Sequence, residues 1–320
     1  MQQRSLGSSG LTVSRLGLGT MTWGRDTDEH EAREQLIAFV EAGGTLVDTA
    51  AGYTDGDSER LIGSLLGDVC DRDDVVLATK AGISRRGRDR VTTASRGHLI
   101  STLDASLKRL AVDHVDLWQV HVWVDDVPLE ETLSALDYAV STGRASYAGI
   151  SNYSGWQSAQ AATWQRAVPG RAPLVSHQVE YSLLNRAVEA EVIPAAQALG
   201  LGILPWSPLG RGVLTGKYRG GTPADSRAAS PHFSGFVGRY LADPSQRVVE
   251  AVARAADGLG WSLLEVALAW VRDRPGVTAP ILGARTAAQL RESLGVEACE
   301  LPVEIVQALE DVSADLEVTP

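Results

Sequence analysis

Eight short runs rich in Val, Ile and Leu, separated by stretches of helical periodicity, predict that this chain of 320 residues folds as an α/β protein, a (β/α)8 TIM barrel. The runs are Leu16–Met21, Thr45–Thr49, Val75–Lys80, Val115–His121, Ala145–Ser151, Leu174–Glu180, Gly202–Trp206 and Thr278–Gly283. Most are continuously apolar rather than alternating, as a parallel sheet covered by helices requires. No Gly-x-Gly-x-x-Gly follows the first run, which counts against the alternative, a doubly wound open sheet.

The first element, Ser5-Leu6-Gly7-Ser8-Ser9-Gly10-Leu11-Thr12-Val13, reads as two short strands around a Gly/Ser turn, an N-terminal β-hairpin. Leu99, Leu103, Leu107 and Leu110 share one helix face, and Leu129, Leu133, Leu136 and Val140 share another. Pro128 stands near one helix start, Gly143 after one end, and Pro244 and Pro302 near later starts. Residues 207–243 show no sustained period and follow the seventh strand, where a long functional loop is expected. The length permits one domain or two, composition does not force a split, and residues 1–320 read as a single barrel domain.

Hydrophobic residues make up 44% of the chain and charged residues 22%, with Gly 32, as in an ordinary soluble globular protein. A net charge of −11 argues against nucleic-acid or anionic-membrane partners, since neither polyanion is attracted to such a surface. Cys70 and Cys299 have no metal-ligand spacing and are too few for a disulfide framework, so no metal and a reducing, cytoplasmic setting are expected. The N-terminus has no apolar run of the kind a signal peptide needs, and nothing downstream approaches the roughly 18 apolar residues of a membrane span.

In a parallel barrel the carboxyl ends of all strands converge on one mouth. Asp48 ends the second strand, and Tyr53 lies five positions on, before an acidic helix start. Lys80 ends the third strand, His121 the fourth and Ser151-Asn152 the fifth; Gln178 lies near the end of the sixth, and Trp206-Ser207 end the seventh. Singly, Lys80 reads as a solvated cap, His121 as a rim histidine, Gln178 as a backbone partner and Trp206 as a core plug. Together they read as a site. Ser58-Glu59-Arg60 reads as the start of the second helix, with no catalytic role.

The motifs Asp48-Thr-Ala-Ala-Gly-Tyr53, Ala78-Thr-Lys80 with Ala81-Gly82, Asp116-Leu-Trp-Gln-Val-His121, Gly149-Ile-Ser151-Asn152, Gln178-Val-Glu-Tyr181-Ser182, Trp206-Ser207-Pro208-Leu209 and Leu282-Gly283-Ala284-Arg285 run in order over nearly the whole chain. With these motifs the chain closely resembles the aldo-keto reductase family. Its Trp206-Ser-Pro-Leu and Leu-Gly-Ala-Arg wording resembles the bacterial branch that includes potassium-channel β subunits.

The resemblance implies reversible reduction of an aldehyde or ketone to an alcohol, with a hydride delivered to carbon and a proton to oxygen. Tyr53 is the expected acid, its phenol brought down from an ordinary value near ~10 by the Lys80 ammonium. Asp48 is expected to keep Lys80 charged and aimed, and His121 to orient the substrate oxygen.

The implied hydride source is a nicotinamide nucleotide across the barrel mouth, with Ser151, Asn152 and Gln178 on its carboxamide and Trp206 stacked on its ring. Ser207, Leu209, Gly212 and Lys217 match the loop over the pyrophosphate, and Thr20, Met21, Asp48, Arg227 and Gly283 match further contacts. Arg285, with Gln289 and Glu292 at helical spacing, matches the site for the ribose and its 2′-phosphate; a guanidinium there favours NADPH over NADH. Ser293 stands where the family usually carries an asparagine against the adenine.

Trp23, Trp123, Phe233 and Phe236, in loops after strands one, four and seven, are the expected substrate walls, suited to an apolar or planar carbonyl compound. Two other functions stay open. One is a cofactor-binding, redox-sensing regulatory subunit with weak reductase activity; the other is an isomerase or aldolase using Lys80 as a Schiff base, which leaves Gln178, Trp206 and Arg285 without a role.

Overall fold

The eight runs form one ring of parallel strands: β1 (Gly17–Gly19), β2 (Leu46–Asp48), β3 (Val76–Ala81), β4 (Val115–Val120), β5 (Ala145–Ser151), β6 (Leu174–Glu180), β7 (Gly202–Trp206) and β8 (Ile281–Gly283). This computed structural model describes residues 1–86, 89–224, 226–230 and 234–314, with the backbone alone at residues 85, 86, 89, 90 and 227. Each strand from β1 to β6 pairs in parallel with the next, and β8 returns to pair with β1. The ring closes on β7 through the lead-in to β8: Ile203 bridges Val277, and Thr278 N donates to Ile203 O at 2.8 Å. Pro280, which has no N–H to give, separates that bridge from β8, so the run expected over Thr278–Gly283 is a strand only at its end. β1 is shorter than Leu16–Met21 because the chain turns after Gly19, with Trp23 N donating to Thr20 O at 3.0 Å.

Alternation along the strands produces two apolar layers. Leu46, Ala78, Leu117, Val175, Leu204 and Ile281 cluster with Leu6 and Val13 of the N-terminal hairpin, Gln3–Ser5 against Thr12–Ser14. The hairpin thus plugs the lower end of the barrel. Two residues beyond Leu46, Ala78 and Leu204, the same alternation sends Asp48, Lys80 and Trp206 inward at the upper end.

At the hairpin turn, Gly7 (φ +59°) lies so close to the approach to β7 that an added Cβ would stand 2.3 Å from Gly200 O. Only glycine fits this contact. Gly7→Ala is expected to lower stability by more than about 1 kcal/mol, seen as a lower urea midpoint at unchanged slope; an unchanged midpoint would contradict this packing.

The outer layer lies between strands and helices. Leu99, Leu103, Leu107 and Leu110 of α3 (Arg96–Leu110) are buried in it, as are Leu129, Leu133 and Leu136 of α4 (Leu129–Ser141); Val140 is only partly covered. Pro128 and Pro302 cap their helices, Pro244 sits in the first turn of Asp243–Leu259, and Gly143 follows α4 with φ +72°. A second hairpin, Ile83–Arg86 against Asp89–Thr92, rises after β3, where the sequence pattern predicts no strands. Within the long loop lie 3-10 turns over Gly210–Thr215 and Arg227–Ala229 and a short helix, Ser234–Gly238. No helix among the described residues is long and apolar enough to cross a membrane.

Candidate active site

A cavity of about 1160 Å³ opens at the carboxyl ends of the strands. Asp48, the last residue of β2, is buried and engaged through both oxygens: Oδ2 takes Lys80 Nζ at 2.7 Å, and Oδ1 accepts from Gln178 Nε2 at 2.8 Å. Lys80, wholly buried on β3, also donates to Thr49 O at 2.7 Å and to Tyr53 Oη at 3.4 Å. Tyr53, half-buried, begins the turn Tyr53–Gly56 between β2 and α2 (Asp57–Leu65), and its ring meets His121 edge-on at 6.0 Å. Carboxylate, ammonium, phenol and imidazole thus come from three successive strand ends and the turn between the first two to one side of one cavity.

A second row of hydrogen bonds links the next strand ends. Ser151 Oγ donates to Gln178 O (2.8 Å), Asn152 Nδ2 to His121 O and to Ser151 Oγ (each 3.0 Å), and Trp206 Nε1 to Asn152 Oδ1 (3.0 Å). Asn152 (φ +57°) and Ser207 (φ +52°) both hold left-handed backbone just past their strands, conformations stabilised only by surrounding contacts.

Electrostatics separate the two central groups. Burial raises the Tyr53 phenol most, Lys80 pulls it down, Asp48 pushes it up again, and it ends above its ordinary 10.0. The expected lowering of this phenol is therefore corrected: burial and the Asp48 carboxylate together outweigh the Lys80 ammonium. Burial lowers the Lys80 ammonium, but Asp48 and then Tyr53 more than offset this and hold it above its ordinary 10.5. At neutral pH the arrangement is a protonated phenol beside a charged amine.

The same cavity runs on past Thr20, Met21, Trp206, Ser207, Leu209, Gly212 and Lys217 to Gly283, Arg285, Gln289, Glu292 and Ser293. Thr20 is fixed by donating to Asp48 O at 3.1 Å. Gln289 turns back to accept from Arg285 N at 3.0 Å, while Ser293 is buried and donates within its own helix to Gln289 O at 2.9 Å. Arg227 lies in a turn described by its backbone alone, and Phe233 lies outside the described residues.

Two expected substrate walls stand elsewhere. Trp23 is fully buried, its Nε1 donating to Gln35 Oε1 at 3.1 Å, because the turn after β1 tucks the ring against α1 (Glu29–Glu41). Trp123 packs edge-on against Tyr153 and Trp156 and donates to Asp125 at 2.7 Å; it does not line the cavity. Phe236 does line it, nearly parallel to Trp206 with ring centres 6.4 Å apart.

Other lining residues are not evident from the sequence. Ile83 and Ser84 come from the second hairpin, and Arg25 from the loop after β1. Arg211, buried between Gly210 and Gly212, forms a two-pronged ion pair with Glu180 (2.8 and 2.7 Å) and lies 3.7 Å over Phe236. Its signal in the chain is an arginine between two glycines after β7, with Glu180 ending the neighbouring strand.

A sequence profile of the Aldo/keto reductase family matches residues 15–314. A probable voltage-gated potassium channel subunit beta of Oryza sativa subsp. japonica is 38% identical, over 92% of this chain and 90% of its own length. An uncharacterized oxidoreductase of Bacillus subtilis (strain 168) is 37% identical, over 98% and 96%. The L-glyceraldehyde 3-phosphate reductase of Escherichia coli (strain K12) is 33% identical, over 92% and 87%. With the barrel and the cavity described above, the chain belongs to the aldo/keto reductase family.

Proposed function

We propose that this protein reduces an aldehyde or ketone to an alcohol with NADPH, Tyr53 supplying the proton. The observation that carries this reading is the line Asp48–Lys80–Tyr53, with contacts of 2.7 and 3.4 Å, at one side of a cavity that continues to Arg285. That cavity suits a dinucleotide: it exceeds the upper end, about 1,000 Å³, of common ligand pockets. Among the described residues the Arg285 guanidinium makes no ion pair, so it is available to a phosphate.

When bound, NADPH supplies the hydride; the chain supplies everything else. Ser151, Asn152 and Gln178 would hold the carboxamide, Trp206 the nicotinamide face, the Ser207–Lys217 segment the pyrophosphate, and Arg285 the 2′-phosphate. Tyr53, kept protonated by burial, donates Oη–H to the substrate oxygen. Lys80 stabilises the phenolate left behind, and Asp48 keeps Lys80 charged through that moment. His121, edge-on to the phenol ring at 6.0 Å, orients the carbonyl oxygen. In the reverse direction Tyr53 must first lose its proton, so alcohol oxidation rises with pH while reduction stays level through neutrality.

A second reading, a cofactor-carrying regulatory subunit, draws on the 38% identity with the rice channel subunit. The rate of turnover separates the two: NADPH oxidation across aldehydes, ketones, quinones and sugars is expected to be fast with at least one of them for the reductase and slow with all of them for a regulatory subunit. Arg285→Ala is expected to weaken NADPH binding roughly tenfold to a hundredfold and to leave NADH binding unchanged, measured by tryptophan quenching at moderate salt. Equal affinities of the parent protein for both cofactors would refute the 2′-phosphate assignment.

A further inference from the structure

Glu59, unremarkable in the sequence, is fully buried behind the Tyr53 turn. Its Oε1 accepts from Thr79 Oγ1 at 2.6 Å, and its Oε2 takes Arg109 through Nε at 2.7 Å and a terminal guanidinium nitrogen at 2.6 Å. Thr79 directly precedes Lys80 on β3, and alternation sends the one side chain out to the helices and the other into the barrel. Holding Thr79 therefore fixes the roll of the strand, and with it the aim of Lys80. Arg109, at the end of α3, reaches the other reacting segment. Its Cδ lies 2.7 Å from where a Cβ on Gly56 would stand, and Gly56 closes the turn that Tyr53 opens. Thr54 (φ +48°), Asp55 (φ +55°) and Gly56 (φ +92°) are all left-handed there, a run that persists only under contacts of this kind. Ser106 Oγ, accepting from Arg109 at 3.1 Å, steadies the guanidinium.

We infer that Glu59 and Arg109 are positioning residues which, through Thr79 and Gly56, hold the Lys80 ammonium and the Tyr53 phenol in register across the 3.4 Å between them. A buried ion pair adds little stability over apolar residues of the same shape; this one spans the two segments that deliver the reacting groups. For its kinetic test, though not its geometric one, the inference rests on the reduction reading above.

Thr79→Val removes one link while leaving the Glu59–Arg109 pair in place, and Thr79→Ser restores the hydroxyl. The valine variant is expected to lower kcat for aldehyde reduction roughly tenfold with KM and NADPH affinity within twofold, and the serine variant to recover it. In a Tyr53→Phe background Thr79→Val should cost nothing further, because its effect passes through the missing hydroxyl. Crystal structures of Thr79→Val and Glu59→Gln should show Tyr53 Oη displaced from Lys80 Nζ. An unchanged distance in both variants, with parental kcat in Thr79→Val, overturns the inference. The distance is read without turnover, so its outcome is separate from that of the reduction reading, which retained turnover in Tyr53→Phe would sink on its own.

Discussion

Tyr53→Phe is expected to lower kcat for carbonyl reduction roughly 10²- to 10⁴-fold, the usual contribution of a positioned acid, while NADPH affinity stays within twofold. The hydroxyl lost is one that Lys80 reaches at 3.4 Å, and its removal leaves the Lys80–Asp48 contact at 2.7 Å untouched. The fold should therefore hold, and the loss should fall on kcat rather than on binding. In the parent protein, reduction should stay level through neutral pH and decline only above the ordinary phenol value of 10.0, because burial keeps the proton on Tyr53 beyond it. Stopped-flow NADPH oxidation with an aromatic aldehyde measures both effects. A Phe variant with parental kcat would remove Tyr53 from the reaction.

Lys80→Met is expected to act on activity and stability together. Without the ammonium the phenolate loses the charge at 3.4 Å that stabilises it, so kcat should fall at least as far as in Tyr53→Phe. Asp48 would keep its Gln178 hydrogen bond but lose its counter-charge in a buried site, a change that costs about 3–5 kcal/mol. The folded protein holds the Lys80 proton more tightly than the unfolded chain does. This stabilisation is accordingly full below the ordinary lysine value of 10.5 and is lost as pH rises through the raised folded value. Urea midpoints measured from neutral to strongly alkaline pH should fall for the parent and stay flatter for Lys80→Met. Parallel curves would show that the pair contributes nothing to the pH dependence.

The parts of the site that are legible in the sequence are those fixed by strand parity. Once Leu46, Ala78 and Leu204 are taken as inward-facing, Asp48, Lys80 and Trp206 must face inward two residues later, whatever the loops do. The strands β5, β6 and β7 have the same ends in sequence and structure because each is bounded by turn residues or a change of hydrophobic pattern. Loops carry no such parity. Trp23 reads equally well as a pocket wall or as packing, and its hydrogen bond to Gln35 on α1 decides for packing. The hairpin from Ile83 follows Gly82, whose φ of +118° redirects the chain out of β3; its strands, rich in arginine, lack the apolar run by which the barrel strands are read. The protonation of Tyr53 is not legible either, because its distance from Lys80 exists only in three dimensions, and so do the burial and the Asp48 charge that oppose the ammonium. Glu59 is silent for the same reason: its partners lie 20 and 50 residues away.

Isotope transfer bears most closely on whether this cavity passes a hydride from NADPH to a carbonyl carbon while Tyr53 protonates the oxygen. NADPH deuterated at the transferable C4 position is incubated with protein and an aromatic aldehyde, and the alcohol is analysed by mass spectrometry. The parent protein should place one deuterium on the carbinol carbon for each NADPH consumed, and Tyr53→Phe should form almost none in the same time. Tight NADPH binding with no deuterated alcohol formed from any carbonyl tested would be incompatible with the proposed reaction.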